Sequence, residues 1–130
     1  TRLESCFEAI KILEQHNINP TLADARFAKP LDMKLLDTLL DNHKYILTIE
    51  EGSIGGFCSS MLHYIHNVRI RPTNAITKNL IFPDRFIEHN KPEAQYKEMG
   101  MDSKSIAKKI VNFFDEKIVN LNNFTKTYKS

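Results

Sequence analysis

Apolar positions first recur at helical spacing. Leu3, Cys6, Phe7, Ile10 and Leu13 line one face, and Glu4, Glu8, Lys11 and Glu14 line the other. That alternation predicts an opening amphipathic helix, with Thr1 as its N-cap and Asn17 ending it in a turn. Asn19-Pro20 cannot continue a helix, and Thr21 to Ala25 reads as a short strand. Asp32 caps a second helix, Met33 to about Leu40, with Leu35, Leu36, Leu39 and Leu40 on its buried side. Asp41-Asn42-His43 closes it. Tyr45 to Ile49 is then an apolar, β-branched strand.

That strand meets Glu50 and Glu51, a corner at Gly52, Gly55 and Gly56, and a third helix from about Gly56 to His66. Phe57, Leu62 and Ile65 are expected to face inward, while Gly55, Gly56, Ser59 and Ser60 let the helix lie close to the sheet. The segment from Asn67 to Thr77 reads as irregular. A strand from about Lys78 to Phe82 follows, ended by Pro83, and Asp84-Arg85-Phe86 leaves the sheet edge. Lys91-Pro92-Glu93 starts a short helix that Gly100 stops. Asp102 caps the last helix, Ser103 to about Val119, with Ile106, Ile110, Phe113, Phe114 and Ile118 on one face; residues 121–130 form a loose polar tail.

The order α, β, α, β, α, β, α, α separates strands by helices long enough to cross over. It predicts an α/β domain over residues 1–130, with a mainly parallel open sheet flanked by helices on both faces. Such domains usually begin with a strand, and this one begins with a helix.

Composition narrows the class. At 130 residues, 42% apolar and 26% charged, the chain has the make-up of one globular domain. A net charge of +2 gives no electrostatic footprint for nucleic acid or an anionic membrane. No apolar run approaches the roughly 20 residues of a membrane span. No signal peptide is visible, and a start at Thr1 rather than Met leaves room for a missing amino terminus. Cys6 and Cys58 read as buried thiols in a reducing compartment.

Several residue groups invite chemistry. Glu50 and Glu51 resemble an acid–base pair, but neighbours on a strand point to opposite faces, and a structural or interface role is favoured. Gly52-x-x-Gly55-Gly56 before a helix could cradle a phosphate. It matches neither the dinucleotide fingerprint nor the P-loop, and two carboxylates precede it. His63 and His66 lie three apart without a third ligand at a matching position, which favours surface polarity over a metal. His89, with Arg85 and Glu88, forms a polar cluster that reads as a site or a hydrogen-bonded lid. Asp24 and Arg26 read as a pair holding a loop. No Ser-His-Asp order and no reactive-cysteine setting is visible.

Four segments taken together carry a resemblance. They are Asp24-Ala-Arg-Phe-Ala-Lys-Pro-Leu-Asp32, Thr48-Ile-Glu-Glu-Gly-Ser-Ile-Gly-Gly56, Phe82-Pro-Asp-Arg-Phe-Ile-Glu-His89 and Met99-Gly-Met-Asp-Ser-Lys-Ser-Ile106. In this order the chain resembles the carboxy-terminal domain of 1-deoxy-D-xylulose-5-phosphate synthases, thiamine-diphosphate enzymes of the transketolase type. The first two segments are shared more loosely with transketolases and with 2-oxoacid dehydrogenase β subunits, and a docking domain of one of those is the alternative. An independent small enzyme using Glu50, Glu51 and His89 is a third reading.

The resemblance implies a whole enzyme that condenses pyruvate with glyceraldehyde 3-phosphate, releases CO2 and serves isoprenoid, thiamine and pyridoxal synthesis. It implies thiamine diphosphate and Mg²⁺ held, with the catalytic histidines, by preceding domains. This segment is then expected to hold no catalytic, cofactor-binding or metal-binding residues. Its partners would be those preceding domains and a second subunit of a homodimer, in a bacterial cytoplasm or a plastid-type organelle. Glu50, Glu51, Asp84, Arg85 and His89 would form a polar rim that orders loops or meets neighbouring domains. The family carries an apolar strand just before the residue matching Thr1, so a first strand is expected to be missing, from between the runs starting at Thr21 and Tyr45. The gap is expected to be filled by a peptide, a swapped segment or a neighbouring molecule, or closed by the sheet.

Overall fold

The computed structural model describes residues 2–26, 29–52, 54–82 and 91–113. In chain order the elements are α1 (Leu3–Glu14), α2 (Met33–Asn42), β1 (Tyr45–Ile49), α3 (Phe57–His63) with a π-helical turn after it (Tyr64–Val68), β2 (Ile76–Leu80), α4 (Pro92–Glu98) and α5 (Ser103–Phe113). They fall into two compact units, α2, β1, α3 and β2 in one and α1, α4 and α5 in the other.

The first unit is a strand–helix–strand module. β1 and β2 pair in parallel, with Tyr45 opposite Ile76 and Ile49 opposite Leu80. Parallel neighbours need a long crossover, and the run through α3 supplies it. The ladder continues past both strands, since the Glu50 N–H donates to the Leu80 carbonyl (3.1 Å) and the Phe82 N–H to that of Gly52 (3.0 Å). The α/β class and the parallel pairing expected from the sequence are thus found. Leu36 and Leu40 of α2, Cys58 and Met61 of α3, and Tyr64 of the π turn form the core, with Ile46 of β1 packed against it. Asp32 caps α2 by accepting from the Leu35 N–H at 3.0 Å.

Three expectations for the strands and the third helix need correction. Thr21–Ala25 is not a strand, because a strand exists only through ladder bonds to a neighbour, and the sheet among the described residues is β1 with β2 alone. The segment turns instead: Asp24 accepts from the Arg26 backbone N–H at 3.0 Å, and Arg26 takes a left-handed φ of 52°. The second strand runs over Ile76–Leu80 rather than from about Lys78 to Phe82, paired residue for residue with β1, and only a single bond from the Phe82 N–H carries the pairing further. The third helix stops being α-helical at His63. Cys58, Met61 and Tyr64 are its buried residues, and Phe57, Leu62 and Ile65 face inward as expected, packing half-buried against the same core.

In the second unit α1 packs against α5. Leu13, Met101 and Ile106 are its fully buried large side chains. Arg2, not Thr1, occupies the N-cap position of α1, and Thr1 lies outside the described residues. Both helix ends here are closed in the same way. Asn17 takes φ 61° after α1, with its N–H donating to the Glu14 carbonyl and the Ile18 N–H to that of Leu13. Gly100 takes φ 68° after α4, with the Gly100 N–H on Lys97 and the Met101 N–H on Tyr96. These are paired bonds around one left-handed residue, which satisfy carbonyls the helix leaves open. Asp102 caps α5 through the Ser105 N–H at 3.2 Å. Ile106, Ala107 and Val111 are the buried stripe of α5, with Ile110 and Phe113 half-buried at its margin. Phe114, Ile118, the expected end of that helix and the tail lie outside the described residues.

Candidate functional site

The glycine corner after β1 is the first candidate, and the side chain that enters it belongs to the chain itself. Glu50 shares the face of β1 that carries Ile46 and Thr48. Its Oε2 accepts from the Phe57 N–H at 2.6 Å and from the Cys58 N–H at 3.4 Å. Those amides open α3, where helix geometry leaves N–H groups without a carbonyl partner and favours negative charge. The corner must be glycine-rich for the carboxylate to fit. A Cβ on Gly56 would sit 2.9 Å from Glu50 Oε2, and Gly55 takes a φ of 110° that side chains rarely adopt. The Gly55 N–H donates to Ser59 Oγ at 3.1 Å. Two amides at the opening of α3 are therefore engaged by Glu50, and that of Gly55 by Ser59. Glu51, the next residue, is exposed. Asp84, Arg85 and His89, the rest of the expected rim, lie outside the described residues.

A second cluster emerges only from the tertiary structure. Asp37 and Asp41, one turn apart on α2, face Arg69, whose side chain is 2% exposed. Arg69 Nε donates to Asp37 Oδ1 at 2.7 Å and its Nη2 to Asp41 Oδ1 at 2.5 Å. Its Nη1 donates to the carbonyls of Arg71 (2.7 Å) and Pro72 (3.1 Å). Tyr64 Oη donates to both oxygens of Asp37 at 3.0 Å, and Arg71 Nη2 donates to Asp41 Oδ2 at 2.7 Å. Every nitrogen of the buried guanidinium is thus engaged, which is what a charge out of water requires. The Arg69 hydrogen bond above all holds the Asp37 carboxyl below the usual carboxylate range, against partial desolvation. Desolvation first, and then Asp37, push the Tyr64 hydroxyl above its ordinary value.

The cluster is a clamp, in which donors and acceptors satisfy one another. It straps residues 69–73 to α2, with Thr73 Oγ1 adding a bond to the Leu40 carbonyl at 3.4 Å. Two aspartates four apart on a helix, and two arginines flanking one residue, were its only traces in the sequence. The pairing spans 27 to 32 residues, a separation that pattern alone does not bridge.

The remaining candidates are placed apart. His63 is exposed and shares a 3.4 Å contact between its Nδ1 and Asn67 Nδ2. His66 is exposed one turn away. Among the described residues no three His, Cys, Asp or Glu are gathered to hold a metal ion. Both cysteines are buried and unbridged, and burial raises the Cys6 thiol above its ordinary value. Among the described residues no helix is long and apolar enough to cross a membrane.

Comparison with known proteins decides the family. The model of the transketolase C-terminal domain matches residues 1–106. The chain belongs to the transketolase C-terminal domain family. It is also 38% identical over 112 residues to a probable 1-deoxy-D-xylulose-5-phosphate synthase 2, chloroplastic, of Oryza sativa subsp. japonica. That match covers 86% of this chain and 16% of the rice protein, so the transketolase C-terminal domain here spans about one sixth of that relative. The resemblance drawn from the four segments is therefore borne out at the level of family and region.

Proposed function

We propose that this transketolase C-terminal domain is the non-catalytic interface domain of a 1-deoxy-D-xylulose-5-phosphate synthase. The enzyme condenses pyruvate with glyceraldehyde 3-phosphate and releases CO2, in a plastid-type or bacterial setting. The observation that carries the reading is the 38% identity, over 86% of the chain, to a segment making up 16% of a synthase. The corner supports it: Glu50 fills the only glycine-rich, helix-opening cradle among the described residues with a carboxylate of the chain's own. A diphosphate coenzyme would have to displace that carboxylate. Thiamine diphosphate, Mg²⁺ and the catalytic groups then belong to other domains of a homodimeric enzyme, and this domain packs and braces. In this reading Glu50 secures the corner, and Glu51, with Asp84, Arg85 and His89 outside the described residues, serves the contacts with neighbouring domains.

The test is turnover. The full polypeptide carrying this domain should release CO2 from pyruvate when glyceraldehyde 3-phosphate, thiamine diphosphate and Mg²⁺ are supplied. The 130-residue chain alone should show neither turnover nor a thermal shift with the coenzyme and Mg²⁺. Turnover or a clear shift from the chain alone would overturn the silent-domain reading.

A further inference from the structure

The clamp holds a segment that has little else to hold it. Across residues 66–74 every residue is exposed except Arg69 and Thr73. The apolar side chains of the segment face water, with Val68 53% and Ile70 98% exposed. Closing it onto α2 therefore draws little on apolar burial. The side-chain bonds that reach α2 are those of Arg69 and Arg71 on Asp37 and Asp41, and a 3.4 Å contact from Thr73 Oγ1 to the Leu40 carbonyl. The two bonds from Arg69 Nη1 end inside the segment, on Arg71 and Pro72, and tie nothing to α2.

A buried ion pair makes a shallow latch. Its attraction is offset by the hydration its charges give up, and Arg69, at 2% side-chain exposure, gives up nearly all of it. Opening returns the guanidinium to water and restores backbone freedom to the segment. The two ends, by contrast, are anchored. Upstream, Tyr64 is part of the buried core. Its carbonyl accepts the Arg69 N–H at 2.8 Å from five residues on, where an α-helix would use four. That π turn closes the helix, and a final turn is the part that unwinds most readily. Downstream, the Ile76 N–H donates to the Lys44 carbonyl at 2.8 Å and opens the ladder between β2 and β1.

We infer that residues 66–74 are a charge-latched strap that swings off α2 and recloses as a unit, while the β1–β2 ladder and the core around Tyr64 stay folded. Asp37 and Asp41 hold it shut, and in the open form Arg69 leaves both carboxylates.

Trypsin reads this opening. To cut before Ile70 it must take the Arg69 side chain into its own pocket, which the closed strap forbids, and it does not cut between Arg71 and Pro72. The full polypeptide is digested at urea concentrations below its unfolding transition. New amino termini at Ile70 and at Asn79, the latter inside β2, are quantified by mass spectrometry. The Ile70 terminus should form first and at a rate nearly independent of urea. The Asn79 terminus should accelerate steeply with urea, because only that cut requires the strand–helix–strand module to unfold and expose its surface. Asp41→Asn removes the charge that both arginines share and leaves Asp37 with Tyr64. It should speed the Ile70 cut roughly tenfold, the cost of one charge-assisted bond read through the open population. An Asn79 cut that comes first, the same urea dependence for both cuts, no cut before Ile70, or a rate unchanged by Asp41→Asn would each overturn the strap. Should Asp41→Asn fail to fold, the urea dependence of the parent decides by itself.

Discussion

Removing the Glu50 carboxylate separates a cap from a catalytic group. Glu50→Ala deletes a charge-assisted bond to the Phe57 N–H at 2.6 Å and a longer one to Cys58 at 3.4 Å. A hydrogen bond to a charged group contributes about 1.5–3 kcal/mol, and an anion at a helix N-terminus about 0.3–1 kcal/mol. The 3.4 Å bond adds little, so the expected loss is about 2 kcal/mol. Glu50→Gln keeps one acceptor oxygen and loses the charge, for about 1 kcal/mol. With a urea slope near 2 kcal/mol/M, the Ala variant should unfold about 1 M earlier, read by circular dichroism. Gly56→Ala supplies the second arm, because its Cβ would lie 2.9 Å from Oε2 and displace the carboxylate. Its effect should shrink when Glu50 is already Ala, the signature of coupled residues. A Glu50→Ala variant within about 0.3 kcal/mol of the parent, or strictly additive effects in the double variant, would refute the cap. Loss of synthase turnover in Glu50→Gln with unchanged stability would point to chemistry instead.

Further outcomes follow from the packing. Met61 is 1% exposed in the core of the first unit, so Met61→Ala should lower stability by about 2–5 kcal/mol, the range for emptying a large buried side chain, in urea unfolding. Thr48 is 7% exposed, and its hydroxyl has no hydrogen-bond partner among the described residues; Thr48→Val should raise stability by about 1 kcal/mol in the same assay. The Asp37 carboxyl is held low when folded, so its contribution is present above the ordinary carboxylate value near pH 4 and is lost as pH falls through the folded value. Asp37→Asn should therefore be the less stable protein at pH 7, and the gap in urea midpoint should close below about pH 4. A constant gap from pH 7 to 3 would contradict the Arg69 pairing.

Local rules made much of this domain legible in the sequence. β1 runs over the expected residues, α2 starts where Asp32 caps it, and α4 opens at Pro92 and is followed by Gly100. Each of these depends on neighbours within four or five residues: alternation, a capping oxygen, a fixed φ, a residue free to take positive φ. Ladder partners are not local. Thr21–Ala25 has strand composition and no ladder, and β2 is paired residue for residue with β1 across the crossover. The destination of Glu50 depended on where α3 begins, since a carboxylate at a strand end can point outward or turn back onto two amides. The clamp was the least legible feature. Asp37, Asp41, Tyr64, Arg69 and Arg71 are ordinary residues in isolation, and Ile70 reads as a core residue from its type alone. Which of Arg69 and Ile70 is buried was decided by one extra residue in a helical turn and by two aspartates about thirty positions upstream. That choice follows from the summed pairing of a buried charge, which exists only once the chain has folded.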